Sequence, residues 1–487
     1  MAVNPNADRS RTDDPNIIWI MADDMGYGDV GIYNSDSKIP TPNMDRLARE
    51  GRRFTDAHSS SAVCTPSRYS VLTGRYCWRT RLKRGVNGGF SLPLIDPART
   101  TVASLLKRRG YRTAAVGKWH VGLEWQPLEG HEKDFDPENW EDEGYVDYTK
   151  PIIGGPLSLG FDTFFGIAGS LDMPPYCFIE NDRVVGVPSV EKSPYNPQQR
   201  QGPMTPGWRD EECDPTFTEK ALAFIESTVD EDPDQPFFLY LTPAAPHRPC
   251  MPPDFAKGKS QAGPRGDMVW LVDWIVGQVM VAVERLGKTE NTLIIVTSDN
   301  GARPSDVDGL MHGHQSCGEL RGFKGDIWEG GHREPLIARW PRVIEPDTVA
   351  DETVCLADLL ATCAAILGEA LPNQTAEDSF DLLPLLESES EARGTRGAVI
   401  HHSLDGMFSV RQGRWKLILG LGSGGFSTPQ RGYSAFPDAP QGQLYDMIDD
   451  WQEQHNLWNE RPEVVKRLTA LLEEYRRSGR SMPPRGA

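Results

Sequence analysis

Long hydrophobic runs are missing from this chain. Its uninterrupted apolar stretches, such as 17–22 and 237–241, fall far short of the roughly 20 residues that span a bilayer. A spanning helix is therefore not expected, and a membrane is not an expected partner. Dense cysteine spacing and paired CxxC knuckles are missing too. The eight cysteines, at 64, 77, 177, 213, 250, 317, 355 and 363, are scattered as free thiols are, unlike those of a disulfide-stapled domain or a zinc module. Cys355 and Cys363 sit on an apolar helical pattern and read as small buried residues. The polar segment 1–14 lacks the apolar core of a secretory signal, so the chain reads as cytoplasmic, or as periplasmic or secreted if a signal has been removed. Positive charge is in deficit, with 51 Lys and Arg against 70 Asp and Glu and a formal net charge of −19. Such a surface repels a long phosphate backbone, and nucleic acid is not an expected partner. A small anion remains admissible, because a few cations focused in a cleft outweigh a diffuse field that salt screens.

What is present suits a large, loop-rich globular protein. The 487 residues, 38% hydrophobic and 25% charged with 47 Gly and 39 Pro, allow one large domain and a smaller one and exclude a fibrous or disordered chain. Two short apolar runs, 16–22 and 292–297, stop at Asp23 and at Ser298 and Asp299, and both read as buried strands with acidic ends. Between them a helix over 101–109 precedes a strand over 112–116, and a helix over 216–228 precedes a strand over 237–241. This alternation predicts an α/β domain with a mainly parallel sheet, and ligands of such sheets bind beyond the carboxyl ends of the strands. After about residue 372 the texture turns to strand-like runs at 407–411 and 415–419, a Gly/Ser/Pro loop at 420–440 and an amphipathic helix near 462–477, a smaller α+β unit.

One cysteine has a context that asks for chemistry. In CTPSR, residues 64–68, Cys64 precedes a stretch at 67–72 able to begin a helix with Pro66 in its first turn, and a helix N-terminus favours an anion. An ordinary cysteine in a turn before a helix is the plain alternative. Asp23 and Asp24 with Asp299 and Asn300 form an oxygen-only set suited to a hard cation. CTPSR followed by VLTG and Arg75 resembles the signature of the type I formylglycine-dependent sulfatases, of the alkaline phosphatase superfamily. ADDMGYG at 22–28 and SDNG at 298–301 resemble that family's two metal motifs. GKWHVG at 117–122 resembles its Lys and His motif, and GFKGDIWEGGHREP at 322–335 its later lysine segment.

The resemblance implies an alkaline-phosphatase-like α/β fold with a large mixed sheet flanked by helices, over 15–371 after the polar segment 1–14. A C-terminal subdomain of antiparallel strands and a terminal helix follows over 372–487. It implies one Ca²⁺ held by Asp23, Asp24, Asp299 and Asn300, with an oxygen of residue 64 completing the shell. Cys64 is oxidised to formylglycine (3-oxoalanine) by a maturation enzyme. One hydroxyl of its hydrate attacks sulfur, with Asp299 placed to take the proton, and the other, deprotonated with help from His120, expels sulfate. Arg68 braces that turn, Lys118, His120, His247 and Lys324 meet the sulfate, and His247 and Lys324 are the candidates for protonating the leaving oxygen. Ser170 falls where relatives carry a polar sulfate contact. Asp172, His312, His314, Arg321 and Trp328 are candidates for the rest of the pocket, Trp328 for stacking on a sugar. The segment LYDMIDDWQEQHNL at 444–457 follows the family pattern with Trp451 in place of Pro.

The expected reaction is sulfate ester hydrolysis, with a sulfated carbohydrate first and a general aryl sulfate second. GIAGSLDMPPY at 166–176 and ENDR at 180–183 resemble carbohydrate-acting members. The rival enzyme is a phosphate or phosphonate ester hydrolase on the same scaffold, and the rival class is an inactive binder of sulfated glycans.

Overall fold

The computed structural model describes residues 14–140, 144–303, 312–387, 396–432 and 439–485. Residues 1–13, and 433–438 of the Gly/Ser/Pro loop, lie outside these. In chain order the strands are β1 (Asn16–Ala22), β2 (Arg52–His58), β3 (Arg112–Lys118), β4 (Thr163–Ile167), β5 (Phe178–Glu180), β6 (Arg183–Val185), β7 (Val190–Lys192), β8 (Gly202–Met204), β9 (Phe237–Thr242), β10 (Thr292–Ser298), β11 (Arg333–Arg339), β12 (Thr348–Ala350), β13 (Val354–Cys355), β14 (Val399–His402), β15 (Phe408–Gln412), β16 (Trp415–Ile418) and β17 (Gln443–Asp446). Eleven of them form one sheet in the order β12-β2-β11-β10-β1-β9-β3-β4-β5-β6, with β13 also paired to β2. Its middle, β10-β1-β9-β3-β4, is parallel, while β11 pairs antiparallel with both β10 and β2, and β5 with both β4 and β6. The sheet is thus mixed rather than mainly parallel. The strand-and-helix alternation governs its centre, whereas β5 and β6 follow β4 without a crossover helix and so return antiparallel.

β1 shows why the centre is buried. All seven residues of NIIWIMA are inaccessible, and alternate side chains enter opposite cores, as a strand's two-residue period requires. Ile17, Trp19 and Met21 join one cluster, and Ile18, Ile20 and Ala22 join the other. The first core is covered by α2 (Cys64–Thr73), α3 (Val102–Arg108), α6 (Leu359–Ile366) and the one-turn α7 (Leu383–Leu386). The second is covered by α1 (Pro42–Arg49), α4 (Cys213–Glu231) and α5 (Gly263–Arg285). By composition α5 is apolar and long enough to cross a membrane, but its most apolar stretch is 78% buried inside the protein. It is the core helix beneath the sheet. All eight cysteines are buried and none forms a disulfide among the described residues, and Cys355 lies in β13 rather than in a helix. Its apolar neighbours pack from a strand edge, which a short apolar run does not distinguish from a helix turn.

Of the remaining strands, β7 and β8 pair antiparallel with each other, and β14 to β17 form a purely antiparallel sheet. The C-terminal helix α8 (Pro462–Ser478) lays Val464, Leu468 and Leu472 on it, in a cluster shared with Tyr76 and Trp78 of the main body. A polar tie joins the same bodies. Lys416 of β16, fully buried, meets Glu329 at 2.9 Å and Glu453 at 2.8 Å. Glu453 follows the Trp451 that departs from the family pattern, and takes a left-handed backbone, φ 55°. Replacing Lys416 by Met removes the cation beside the buried Glu453, while Glu329 retains Arg411 at 3.4 Å and Arg333 at 3.5 Å, a change of the kind that costs about 3–5 kcal/mol. Urea unfolding of K416M at neutral pH should show a correspondingly lower midpoint with secondary structure intact before the transition.

Candidate active site at the strand ends

The parallel centre of the sheet delivers the acidic ends of its strands to one place. The β1–β10 register pairs Ala22 with Ser298, so Asp23 and Asp299, the next residue on each strand, emerge side by side. β3 ends at Lys118, with His120 two residues on. β9 ends at Thr242 ahead of the turn that carries His247, and β4 ends at Ile167 ahead of Ser170 and Asp172. Twelve residues singled out in the sequence, Asp23, Asp24, Cys64, Arg68, Lys118, His120, Ser170, Asp172, His247, Asp299, Asn300 and Lys324, are all buried in this region. Two backbones there are forced into the left-handed region, Asp24 at φ 69° and His120 at φ 57°. For non-glycine residues that costs on the order of 1–3 kcal/mol each and persists only where the surroundings impose it. Gly301 shows how tightly the second acidic strand end is packed: a Cβ there would lie 1.8 Å from the Gly330 carbonyl oxygen.

Helix α2 brings in Cys64. It starts at Cys64 itself, capped by Val63, rather than at residue 67, because Pro66 fits a first turn without needing a donor. Arg68, one turn on, shares a face with Cys64. Its guanidinium donates through Nε to Asp299 Oδ2 at 2.9 Å and through Nη1 to the Lys118 carbonyl at 2.9 Å. Lys118 Nζ donates to Asp23 Oδ2 at 2.6 Å, and Lys324 Nζ to Asp24 Oδ2 at 2.8 Å. Burial pushes the Asp23 carboxyl up to about 7 against the pull of Lys118. At Asp24 the effect of burial is outweighed by Lys324, His247 and Lys118, which hold it well below the usual carboxylate range. Burial also raises the Cys64 thiol, although Lys118 and Lys324 oppose it. An unmodified cysteine here stays a neutral thiol at pH 7 and is a weak nucleophile.

The donor set fits a hard cation. Carboxylate oxygens of Asp23 and Asp299 and the Cys64 sulfur lie within 4.8 Å of one another, as do ligand atoms of Asp23, Asp24 and His247. Asn300 spends its amide hydrogens on Asp24 Oδ1 at 2.8 Å and the Gly301 carbonyl at 3.0 Å. Its Oδ1 is left buried without a hydrogen-bond partner, as is Asp23 Oδ1. Buried acceptors left this way are costly unless something else meets them, and oxygen acceptors are what Ca²⁺ takes.

The two histidines are both neutral. Burial lowers His120 well below its ordinary value, helped by Lys118 and Arg68. Its Nε2 lies 2.8 Å from the Asn87 carbonyl. A carbonyl only accepts, so Nε2 carries the proton and Nδ1, buried and unpartnered, presents a lone pair. Burial, then Lys324, pushes His247 down to about 3. Its Nδ1 donates to the Arg248 carbonyl at 2.9 Å, and Nε2 stands 3.7 Å from Asp24 Oδ2. The turn that carries His247 is held from behind by Asp214, whose Oδ1 accepts from the Ala244 amide at 2.7 Å.

A cavity of about 320 Å³ opens on Cys64, His120, Ser170, His247 and Lys324. Four of the residues expected to line the outer pocket do not. Trp328 is buried, donating to Gln443 at 3.0 Å, and Arg321 stacks on it at 3.8 Å and donates to Tyr445 at 3.1 Å, so both tie the C-terminal sheet to the body. His314 is buried against Asp29 at 2.8 Å. His312 is exposed, with its carbonyl accepting from Lys38. Their place is taken by Arg200, Arg248, Arg303, Trp140 and Phe426. Arg248 alone had a visible signal, as the neighbour of His247 in APHRP. The others come from loops whose approach no local pattern encodes.

Known proteins carry the same design. A model of the sulfatase family matches residues 15–369. The chain is 35% identical over 509 residues to N-acetylgalactosamine-6-O-sulfatase of Bacteroides thetaiotaomicron, covering 95% of this chain and 93% of that one. It is 34% identical over 496 residues to arylsulfatase A of Homo sapiens, covering 94% and 87%. A solved chain from glycosaminoglycan metabolism in Bacteroides thetaiotaomicron superposes with a TM-score of 0.79 at 32% identity, over 95% of this chain and 99% of that one. A sulfatase from Pseudoalteromonas sp. shares the fold at a TM-score of 0.73 and 24% identity, over 97% and 91%.

Asp214 supplies a pH signature. Burial raises its carboxyl to about 7 despite the backbone donors on it, so the folded state holds a proton that the unfolded state releases near pH 4. The stability this contributes is present below that lower value and is lost as pH rises through about 7. Asp214→Asn, which keeps the acceptor, should flatten the fall in stability between pH 4 and 7 by up to about 1.4 kcal/mol per pH unit, read from chemical denaturation at several pH values.

Proposed function

The chain belongs to the sulfatase family and is a sulfuric ester hydrolase, and from that premise we propose that it removes sulfate from a sulfated saccharide. The observation that carries the reading is the convergence of Cys64 with the carboxylates of Asp23 and Asp299 and two buried lysines, Lys118 and Lys324, behind a cavity that Cys64 and Lys324 themselves line. The saccharide is supported by a relative that acts on N-acetylgalactosamine-6-O-sulfate and by a structural neighbour from glycosaminoglycan metabolism. Residues 15–371 are proposed as the catalytic unit and 372–487 as its support, although Leu404 and Phe426 reach back to line the same cavity.

In this reading Asp23, Asp24, Asp299 and Asn300 hold one calcium ion, which supplies positive charge to stabilise the developing oxyanion. Cys64 requires a maturation enzyme, and as hydrated formylglycine it supplies two hydroxyls, one to attack sulfur and one to expel sulfate, as neither Cys nor Ser can. Arg68 orients Asp299, whose carboxylate takes the proton of the attacking hydroxyl. His120 offers its Nδ1 lone pair to the second hydroxyl. Lys118 and Lys324 bind sulfate oxygens by charge-assisted hydrogen bonds. The Ser170 hydroxyl, buried without a partner, is a further donor to the substrate, and Asp172 faces its outer part. His247 is neutral in the free protein. The negative charge of an entering sulfate ester raises its proton affinity, so that Nε2 takes up a proton from solvent as substrate binds and passes it to the leaving oxygen.

Two measurements test these roles. Cys64→Ala should abolish sulfate release from aryl sulfates and sulfated sugars while leaving the thermal transition within a few degrees of the parent. Turnover near that of the parent would end the assignment. His247→Ala should lower kcat by about 10² to 10⁴ on a sugar sulfate, whose alcohol leaves poorly, and far less on an activated aryl sulfate. Equal losses on the two substrates would remove the general-acid role.

A further inference from the structure

The cavity has a second set of cations that the sulfate chemistry does not use. Arg200, Arg248 and Arg303 line it, with Asp172 as the only carboxylate among the described lining residues. Asp172 is shared by two of the three. Arg248 meets Asp172 Oδ2 through Nη2 at 2.8 Å, and Arg200 meets the same oxygen at 3.3 Å. Arg303 meets no carboxylate among the described residues, and its half-buried guanidinium lies over the Phe426 ring at 4.8 Å. Arg200 lies over Trp140, also at 4.8 Å. Three guanidinium groups against one carboxylate leave this wall with a cationic excess, on a chain whose net charge is −19. Burying part of that charge is unfavourable unless a counter-charge arrives. A guanidinium stacked on an aromatic face keeps its edge donors free, and that edge matches the two oxygens of a carboxylate or a sulfate.

Taking the sulfatase reading as given, we propose that this wall is a second anion subsite, and that the saccharide cleaved here carries a second negative group beside the scissile sulfate. A sulfate on the same ring and the carboxylate of an adjoining uronate share the required chemistry. Arg303, which meets no carboxylate among the described residues, is the specificity-determining residue, and Arg248 and Arg200 complete the subsite around Asp172. The excess of guanidinium over carboxylate thereby selects a dianionic sugar over a monoanionic one, and the discrimination is electrostatic.

The test separates this idea from the sulfatase reading by measuring binding without turnover. Calcium-loaded Cys64→Ala protein is titrated calorimetrically with N-acetylgalactosamine 6-sulfate, with its 4,6-disulfate, with a uronate-linked N-acetylgalactosamine 6-sulfate disaccharide, and with that disaccharide after reduction of its carboxyl group. The proposal expects tenfold or greater tightening for the disulfate over the monosulfate, for the uronate disaccharide over its reduced form, or for both. The arm that responds identifies the second anion, and the gain should shrink as salt is raised. Arg303→Met, added to the Cys64→Ala protein, should erase most of the preference, whereas Arg303→Lys, which retains the charge, should keep part of it. Equal affinity across each pair, no measurable binding of any of the four, or a preference untouched in Arg303→Met overturns the proposal. The sulfatase reading is judged separately, by sulfate release from these sugars with matured wild-type enzyme. A protein that cleaves monosulfated and dianionic sugars equally well keeps that reading and loses this one.

Discussion

Three acidic side chains gathered out of water need cations beside them, and the arrangement of this protein follows from that requirement. Asp23, Asp24 and Asp299 are brought together by the parallel register of β1 and β10. Their mutual repulsion and desolvation are met by Lys118 from β3, Lys324 from a distant loop and Arg68 one turn into α2. Each cation arrives on a different element, so the cluster holds only while sheet, helix and loop are all in place. The left-handed backbones at Asp24 and His120 and the glycine contact behind Asn300 are the local costs of that convergence, and the packed sheet beneath sustains them. Burial, reinforced by the same cations, keeps His120 and His247 neutral, which leaves one imidazole lone pair available in each.

A similar logic joins the C-terminal sheet to the body. Lys416 neutralises Glu329 and Glu453 at a fully buried junction, and Trp328 and Arg321, which on sequence grounds suited a sugar-binding role, serve that junction instead. An aromatic next to a basic residue reads the same in a chain whether it stacks on a ligand or seals an interface. Only the packing around it separates the two uses. The cationic wall of the cavity was hidden for the complementary reason: Arg200, Arg248 and Arg303 lie far apart in the chain, and three ordinary surface-type residues become a feature only when loops from separate strands close on one space.

Much of the fold was readable because it rests on local periodicity. The runs at 16–22, 292–297 and 237–241 and the helix near 462–477 reappear within a residue or two of the observed elements. Each of these apolar runs is short, bounded by polar or charged residues and rich in β-branched or aromatic side chains, which favours a buried strand over a helix. The antiparallel edges of the main sheet were not readable, since pairing direction depends on how the chain returns rather than on which residues it contains. The start of α2 was misplaced by three residues, because Pro66 marks a first turn without saying which residue opens it.

Motifs were enough to name the reaction class and to single out residues that the fold gathers in one place, because a short, dense set of such groups recurs at strand ends and a helix start in a set order. Tertiary structure alone decided which carboxylate each of Lys118 and Lys324 meets, which nitrogen of His120 and His247 carries its proton, and which side chains line the cavity around Cys64. Those outcomes depend on distances across the fold and on the loss of water around each group, and neither quantity is written in the spacing of residues along a chain.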